Sequence, residues 1–306
     1  MLVFAASDKG GTGRSVTSAN VAYQRALDGD NVCYLDFDFG SPTAAAVFDL
    51  PDVLAEAEGR GLHSYLKGDT GEPLRVDVWE RTEHPVLADR PPGSGRLVLL
   101  PGDRSGGEFV TDEANLHQCV DLVLRLQREF EVIVVDLSAG RSYAMDLALA
   151  ATAPRFSLAR IKTRWLIYHR WTRQHVMAAA ELVTGKQGIV PAGVSMGHDE
   201  DTLSGSIRFV RAAVPDLNSV PWSLLRPEQT AWMHERNRQL ESMAAQLGIG
   251  KTKALASIPL EPVLQWREQL ITADDVLDSR IATIETWKAM GELAERLGDD
   301  KHWGQL

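Results

Sequence analysis

The sequence predicts an α/β protein in which a doubly wound, mostly parallel sheet carries helices on both faces. Short apolar runs typical of buried strands occur at 2–6, 31–36 and 132–135, and each leads into a loop that contains glycine or aspartate. Amphipathic runs with helical spacing follow two of them, at 16–27 and 113–129. Alternation of this kind is typical of β-α-β units, in which a helix connects parallel strands.

Composition and charge restrict the class of protein. The 306 residues are 44% hydrophobic and 24% charged, which provides enough apolar material for a sizeable core. The net charge of −10 argues against a protein that coats nucleic acid. Cys33 and Cys119 lie far apart in the chain, so a disulfide framework and a zinc site are both disfavoured. The apolar run at 2–6 is too short for a signal peptide, and we expect a cytoplasmic protein.

The first predicted strand leads directly into a glycine-rich loop. The loop reads Ser7-Asp8-Lys9-Gly10-Gly11-Thr12-Gly13-Arg14-Ser15. A strand, a glycine-rich turn and a helix form an arrangement that binds phosphate, because backbone N–H groups and the positive end of the helix point to one place. Ser15 stands in the first helical turn, where the hydroxyl of such a loop binds Mg²⁺. We therefore predict that residues 10–15 bind the phosphates of a nucleotide.

Two later strands end in aspartates where such a site needs carboxylates. Asp36 and Asp38 end the second strand, and Asp136 ends a later one. The carboxyl ends of parallel strands meet at one edge of a sheet, so these acids should lie beside the loop. We expect Asp136 to hold a Mg²⁺-bound water opposite Ser15. We expect Gly140 to offer a backbone N–H to the terminal phosphate.

The loop resembles the deviant Walker A sequence K-G-G-x-G-K-[ST] of the ParA/MinD family of P-loop ATPases, with Arg14 in place of the second lysine. Residues 36–40 are similar to the D-x-D switch of that family. Residues 132–140 are similar to its Walker B and D-x-P-A-G sequences. The resemblance extends in outline over nearly the whole chain, but its specific motifs lie within 7–40 and 132–140.

This resemblance implies the P-loop NTPase fold, ATP or ADP with Mg²⁺ as ligands, and a homodimer that depends on nucleotide. It implies that Lys9 reaches the phosphates of the partner subunit and that Asp38 orients the attacking water. Arg14 occupies the position of the lysine that serves the chain's own nucleotide. Pro259 lies in a segment that resembles the P-x-(D/E)-P sequence beside the adenine pocket. The metal ligands that the resemblance implies are Ser15, Asp38 and Asp136.

The arginine at position 14 bears on activity. Arginine is longer than lysine and planar, so the replacement is not conservative at a tight phosphate site. We therefore expect nucleotide binding as a dimerising switch, with weak or absent hydrolysis. Two other functions stay open, namely a non-catalytic scaffold that keeps the fold for a protein partner and a P-loop synthetase or kinase for a small molecule. The sequence does not identify the partner protein.

The remaining segments are predicted to complete a single domain over 1–306. We expect an irregular surface insertion at 68–96, a strand at 189–197 and a helical segment over 199–250. No asparagine follows 189–197, where members of the family often use one to bind the adenine. The tail 298–306 is acidic to neutral, so we predict no membrane anchor.

Residues 155–173 form a basic stretch in an acidic protein. Its basic and aromatic members include Arg155, Arg160, Lys162, Arg164, Trp165, Tyr168, Arg170, Trp171 and Arg173. Such a stretch can contact nucleic acid, but it can equally form a dimer face or pair with acids of the same protein. Phosphate binding along nucleic acid needs a contiguous basic surface. We therefore regard nucleic acid as the less favoured of these partners.

Overall fold

The computed structural model describes residues 1–215 and 225–303, and its centre is an eight-stranded sheet. The strands are β1 (Leu2–Ala6), β2 (Val32–Phe37), β3 (Val76–Asp77), β4 (Leu97–Leu100), β5 (Val132–Leu137), β6 (Thr163–Arg170), β7 (Ile207–Val214) and β8 (Ala254–Pro259). Their order across the sheet is β3-β4-β2-β5-β1-β6-β7-β8. Neighbouring strands run parallel except at the edge, where β3 is antiparallel to β4.

Helices connect the strands. They are α1 (Arg14–Leu27), α2 (Ala44–Val47), α3 (Val53–Glu56), α4 (Leu62–Leu66), α5 (Val78–Arg81), α6 (Pro85–Ala88), α7 (Glu113–Leu126), α8 (Tyr143–Ala151), α9 (Arg173–Thr184), α10 (Ile189–Ser195), α11 (Glu200–Gly205), α12 (Pro227–Gln246), α13 (Ala273–Leu277) and α14 (Ile284–Gly298). Short 3₁₀ helices occupy Ser157–Arg160, Val263–Gln265 and Asp300–His302. Among residues 1–215 and 225–303, none of these helices combines the length and apolarity that crossing a membrane requires.

Separate sets of helices cover the two faces of the sheet. Along β1, Leu2 and Phe4 belong to one hydrophobic cluster, whereas Val3 and Ala5 belong to the other. The first cluster includes buried residues of α7, α8, α9 and α10. The second includes those of α1 and α14. Strands buried on both sides explain the continuous apolar runs in the sequence. The predicted doubly wound α/β fold is confirmed.

Parallel pairing brings the carboxyl ends of three central strands to one edge of the sheet. In the strand register, Asp136 of β5 lies opposite Asp36 of β2 on one side and opposite Ala5 of β1 on the other. The glycine-rich loop follows β1 and therefore lies at the same edge. Gly13 ends the loop with a φ of 75°, a left-handed conformation that glycine adopts without steric cost. The loop and the aspartates thus meet as the sequence predicts.

The prediction of a strand at 189–197 is wrong, because this segment forms α10. Ile189 and Val190 have the β-branched side chains that favour strands, but here they are buried in the helix. The helix packs against α8, α9 and α11. Burial against these neighbours outweighs the local preference for a strand. The position after 189–197, where the sequence has no asparagine, therefore does not follow a strand. The next strand is β7, and the segment that follows it, 216–224, lies outside the described residues.

The segment 199–250 is not helical throughout, because β7 lies within it between β6 and β8. Its Arg208 and Arg211 are three residues apart, a spacing that imitates the polar face of a helix. Both arginines are nevertheless buried in the strand. The guanidinium of Arg211 pairs with Glu241 at 2.8 Å and lies 3.9 Å from the ring centre of Trp171. Partners that are distant in sequence therefore allow charged residues in a central strand.

The segment 68–96 is not an irregular surface excursion. It contains β3, α5 and α6, and β3 extends the sheet as an antiparallel edge strand. Val76, Val78 and Trp79 are buried in the cluster on the α1 side of the sheet. The indole N–H of Trp79 donates to the carbonyl oxygen of Gly95 at 3.0 Å. The segment is rich in glycine, proline and charged residues, so its sequence does not reveal that a few apolar residues in it are buried.

His169 makes the stability of the fold sensitive to acid. Burial lowers the pKa of His169 to about 4, whereas an unfolded histidine titrates near 6.5. Between these values the unfolded chain binds the proton more readily, so the free energy of unfolding should fall by about 3 kcal/mol as the pH drops through this range. Urea unfolding over a pH series should show a shallower loss in His169→Phe. The exposed His117→Phe serves as the control and should keep the original slope. Equal slopes in all three proteins would contradict this assignment.

Candidate functional site

A cleft of about 640 Å³ lies at the carboxyl edge of the sheet. The predicted site residues that line it are Gly10, Gly11, Thr12, Gly13, Arg14, Ser15, Asp38 and Pro259. Asp136 is fully buried and contacts Arg14, whereas Lys9 is half-buried in the loop. The structure therefore brings residues from β1, β2, β5 and β8 into one place, although they are spread over most of the chain.

Arg14 is the most tightly bound side chain of this site. Only 6% of it is exposed, although it is the first residue of α1. Its Nε donates to Oδ1 of Asp136, and its Nη2 donates to Oδ2 of Asp38 at 2.7 Å. Weaker contacts of 3.3 Å run from Nη1 to the hydroxyl of Ser7 and from Nη2 to the hydroxyl of Ser15. The guanidinium thus connects the loop to the ends of β2 and β5.

Charge balance explains why this arginine is stable when buried. Burial alone would lower the pKa of Arg14, but the carboxylates of Asp136 and Asp38 outweigh it and raise that pKa above its usual range. A third acid, Asp36, is buried beside them. Burial and the charge of Asp136 raise the pKa of Asp36 to about 8, so Asp36 is largely protonated at neutral pH. Its oxygens accept the backbone N–H groups of Asp38 and Ala44, which makes it a support for the turn after β2.

The glycine-rich loop has backbone donors available for an anion. Within residues 1–215 and 225–303, no acceptor receives a hydrogen bond from the N–H groups of residues 10–13. Gly10 and Gly11 are exposed at the cleft, and α1 begins directly after Gly13. Free N–H groups and a helix N-terminus favour negative charge at the same point. The arrangement suits a phosphate group.

Gly140 does not have the free N–H that the sequence predicts. Its N–H donates to the carbonyl oxygen of Ser7 at 2.8 Å, and its φ is 78°. This bond joins the loop after β5 to the start of the glycine-rich loop. In this structure Gly140 therefore supports the loop and has no donor left for a terminal phosphate.

The three predicted metal ligands are not open to a cation. Ser15, Asp38 and Asp136 each accept a hydrogen bond from Arg14. Elsewhere in the described part of the chain, no group of three or more His, Cys, Asp or Glu side chains could hold a metal ion. Magnesium requires several oxygen ligands at about 2.0–2.1 Å in octahedral geometry. The residues as arranged do not fit Mg²⁺, because the guanidinium of Arg14 already contacts one oxygen of each of them.

Two arginines of the site were not predicted to belong to the nucleotide site. Arg170 ends β6 and lines the cleft. Arg141 donates to the carbonyl oxygens of Glu181 and Gln187 at 2.9 and 3.1 Å and pairs with Asp8 at 3.4 Å, which holds the loop against α9. The position of Arg170 at the carboxyl end of a central strand was a usable signal. Arg141 gave no comparable signal, because its partners are distant in sequence.

The basic stretch 155–173 does not form one basic surface. Arg164 is 2% exposed, contacts Asp300 and lies 4.3 Å from the ring centre of Trp303. Trp165 and Tyr168 are buried in the sheet. Arg164 and Arg170 stand near opposite ends of β6, which places them about 20 Å apart at 3.3 Å per residue. Within the stretch, Lys162 and Arg164 pair with Asp300, and the aromatic residues pack in the core.

The comparisons with known proteins agree with the fold. No protein-family model matches the chain. It is 27% identical over 163 residues to the septum site-determining protein MinD of Bacillus subtilis (strain 168), a match that covers 50% of this chain and 53% of that protein. Over this half of its length the chain resembles MinD in sequence. The match thus spans about half the length of the curated relative.

Solved structures extend the similarity of fold to almost the whole chain. A putative plasmid partition protein from Borrelia burgdorferi B31, bound to AMPPNP, has a TM-score of 0.61 at 13% identity, and 97% of each chain is covered. MinD from Pyrococcus horikoshii OT3, complexed with Mg-ADP, has a TM-score of 0.54 at 16% identity, with 97% of this chain and 96% of that chain covered. The resemblance to the ParA/MinD family and the P-loop NTPase fold are confirmed.

Removal of the Arg14 charge should destabilise the protein. Arg14→Met leaves two carboxylates at the centre of the site without their counter-ion, so the free energy of unfolding should fall by about 3–5 kcal/mol. Urea unfolding at pH 7 in the presence of EDTA measures this. Arg75→Met removes an exposed pair with Glu129 and should cost less than about 1 kcal/mol. Equal losses in the two variants would show that the Arg14 pairs contribute little.

Proposed function

We propose that this chain binds ATP or ADP in the cleft at the carboxyl edge of its sheet and acts as a dimerising nucleotide switch with weak or absent hydrolysis. The observation that carries the proposal is the glycine-rich loop, whose N–H groups at residues 10–13 face no acceptor among the described residues beside a cleft of about 640 Å³. Proteins of the same fold that bind AMPPNP and Mg-ADP support a nucleotide as the ligand. The proposal for this chain names the nucleotide and no metal ion, because Arg14 contacts every predicted metal ligand.

The cations around the cleft support binding of a polyanion. Arg170 lines the cleft and Lys9 stands in the loop, and neither side chain has an ion pair or hydrogen bond among the described residues. Both charges act on His175, whose pKa is lowered by burial and then by Arg170 and Lys9. Two unpaired cations beside free backbone donors favour a phosphate chain.

The geometry of Asp38 supports weak or absent hydrolysis. A carboxylate that orients an attacking water uses its negative charge to hold that water near the terminal phosphate. Oδ2 of Asp38 accepts a hydrogen bond from Arg14 at 2.7 Å. The pair neutralises the acid that would have to position the water. The proposed function then depends on nucleotide exchange and dimer formation, and hydrolysis contributes little to it.

A second candidate function is a scaffold that keeps the P-loop fold without nucleotide and binds a protein partner. The observation that favours it is the pairing of Arg14 with Asp38 and Asp136, which gives both carboxylates a counter-ion without any ligand. The two functions differ in one measurable property, namely nucleotide binding by the purified protein.

Gly10→Ala tests whether the loop holds phosphate. A Cβ at Gly10 meets nothing within 4 Å, so the fold should tolerate it, but the methyl group enters the cleft where the phosphate would approach the backbone. Isothermal titration calorimetry should give an ATP affinity at least about tenfold lower for the variant, with unchanged thermal stability. Gly71→Ala also has open space around its Cβ, lies outside this cleft and should bind as the unmodified protein does. Absence of any ATP or ADP binding by the unmodified protein would favour the scaffold.

Lys9→Ala tests the dimer. Sedimentation velocity should show a dimer of the unmodified protein with ATP and a monomer of the variant, because the lysine would no longer reach the phosphates of the partner subunit. The same ATP samples should release phosphate no faster than buffer does. Brisk release that Asp38→Ala abolishes would overturn weak hydrolysis, and an ATP-independent dimer would overturn the switch.

A further inference from the structure

The three residues expected to hold the divalent cation share one protein partner. Nη2 of Arg14 lies 2.7 Å from Oδ2 of Asp38 and 3.3 Å from the hydroxyl of Ser15, and Nε contacts Asp136. These are the oxygens that a bound Mg²⁺ or its water shell would need. The guanidinium therefore lies where the cation would have to lie.

Distances show that a metal ion on these oxygens would lie close to the guanidinium. A Mg²⁺ ion bound to Oδ2 of Asp38 at about 2.1 Å would lie within about 5 Å of Nη2 of Arg14. The approach of a divalent charge to a buried monovalent one is strongly unfavourable, since little water separates them. Arg14 cannot easily withdraw, because it is 6% exposed and donates to four side chains.

One feature of the site would still suit a cation. Oδ2 of Asp136 is buried and has no hydrogen-bond partner among residues 1–215 and 225–303. In the absence of Arg14, this oxygen could accept a water bound to Mg²⁺. With Arg14 present, the other oxygen of Asp136 is already paired, and Asp38 and Ser15 are engaged by the same guanidinium. The contacts of the site therefore favour the guanidinium of Arg14 over Mg²⁺ as the cation beside these three residues.

We propose that the guanidinium of Arg14 takes the place of the divalent cation, so that this site binds the metal-free form of a nucleoside di- or triphosphate. The inference rests on the proposed nucleotide function. Arg14 lines the cleft, and four of its five N–H groups are used within the protein. The fifth is available for a phosphate oxygen. Arg170, which lines the same cleft, and Lys9 in the loop supply further positive charge.

The decisive experiment compares nucleotide affinity with and without the metal. The full chain is titrated calorimetrically with ATP and with ADP, once in excess MgCl₂ and once in excess EDTA. The affinity should agree within about threefold between the two conditions. Binding that requires Mg²⁺ would overturn this inference and leave the proposed function intact. Failure to bind in either condition would overturn the proposed function instead, and this inference with it.

The variant Arg14→Lys provides a second test of this inference. The shorter, compact ammonium cannot span Asp136, Asp38 and Ser15 together, so oxygens should become available to Mg²⁺. The variant should bind ATP at least about tenfold more tightly with MgCl₂ than with EDTA. Arg75→Lys, which alters an exposed pair with Glu129, should show the same metal independence as the unmodified protein. A folded Arg14→Lys that remains indifferent to Mg²⁺ would contradict the role given to the guanidinium. If this variant does not fold, the comparison on the unmodified protein still decides the question.

Discussion

The contact of Arg14 with Asp136 and Asp38 is the interaction on which the site depends. It joins the first residue of α1 to the ends of β2 and β5, three elements that the chain reaches at widely separated positions. Acids at the carboxyl edge of a buried sheet need a counter-charge, because an unpaired buried carboxylate is strongly destabilising. In this protein a side chain of the same chain supplies that charge. The occupied metal ligands and the weak hydrolysis that we propose both follow from it.

P-loop proteins usually combine phosphate binding with metal binding, and this site separates the two properties. The free N–H groups of residues 10–13 and the helix behind Gly13 keep the capacity to bind phosphate. The carboxylates and the serine that would surround a metal ion are instead engaged by the guanidinium. A protein with the first property and without the second is suited to sense a nucleotide and poorly suited to cleave it. This division connects the structure to the switch function that we propose.

The errors in the predicted elements have a common physical cause. Ile189 and Val190 favour a strand locally, yet packing against α8, α9 and α11 makes the segment a helix. Arg208 and Arg211 indicate the polar face of a helix, yet tertiary partners such as Glu241 allow them to be buried in β7. In each case the deciding contacts come from residues far away in sequence. Where the hydrophobic pattern was long and regular, as in α1 and β5, the predicted element is present.

The sequence by itself determined the fold class and the residues that gather at the sheet edge. Spacing and strand endings were enough, because parallel strands place their carboxyl ends together whatever lies between them. Only the tertiary structure decided the direction of the Arg14 side chain and the use of the Gly140 N–H. Both depend on acceptors that belong to other strands and loops, Asp136 for the first and Ser7 for the second. A side chain as long as arginine can reach a phosphate or turn back to an acid, and only the position of the acids selects between them.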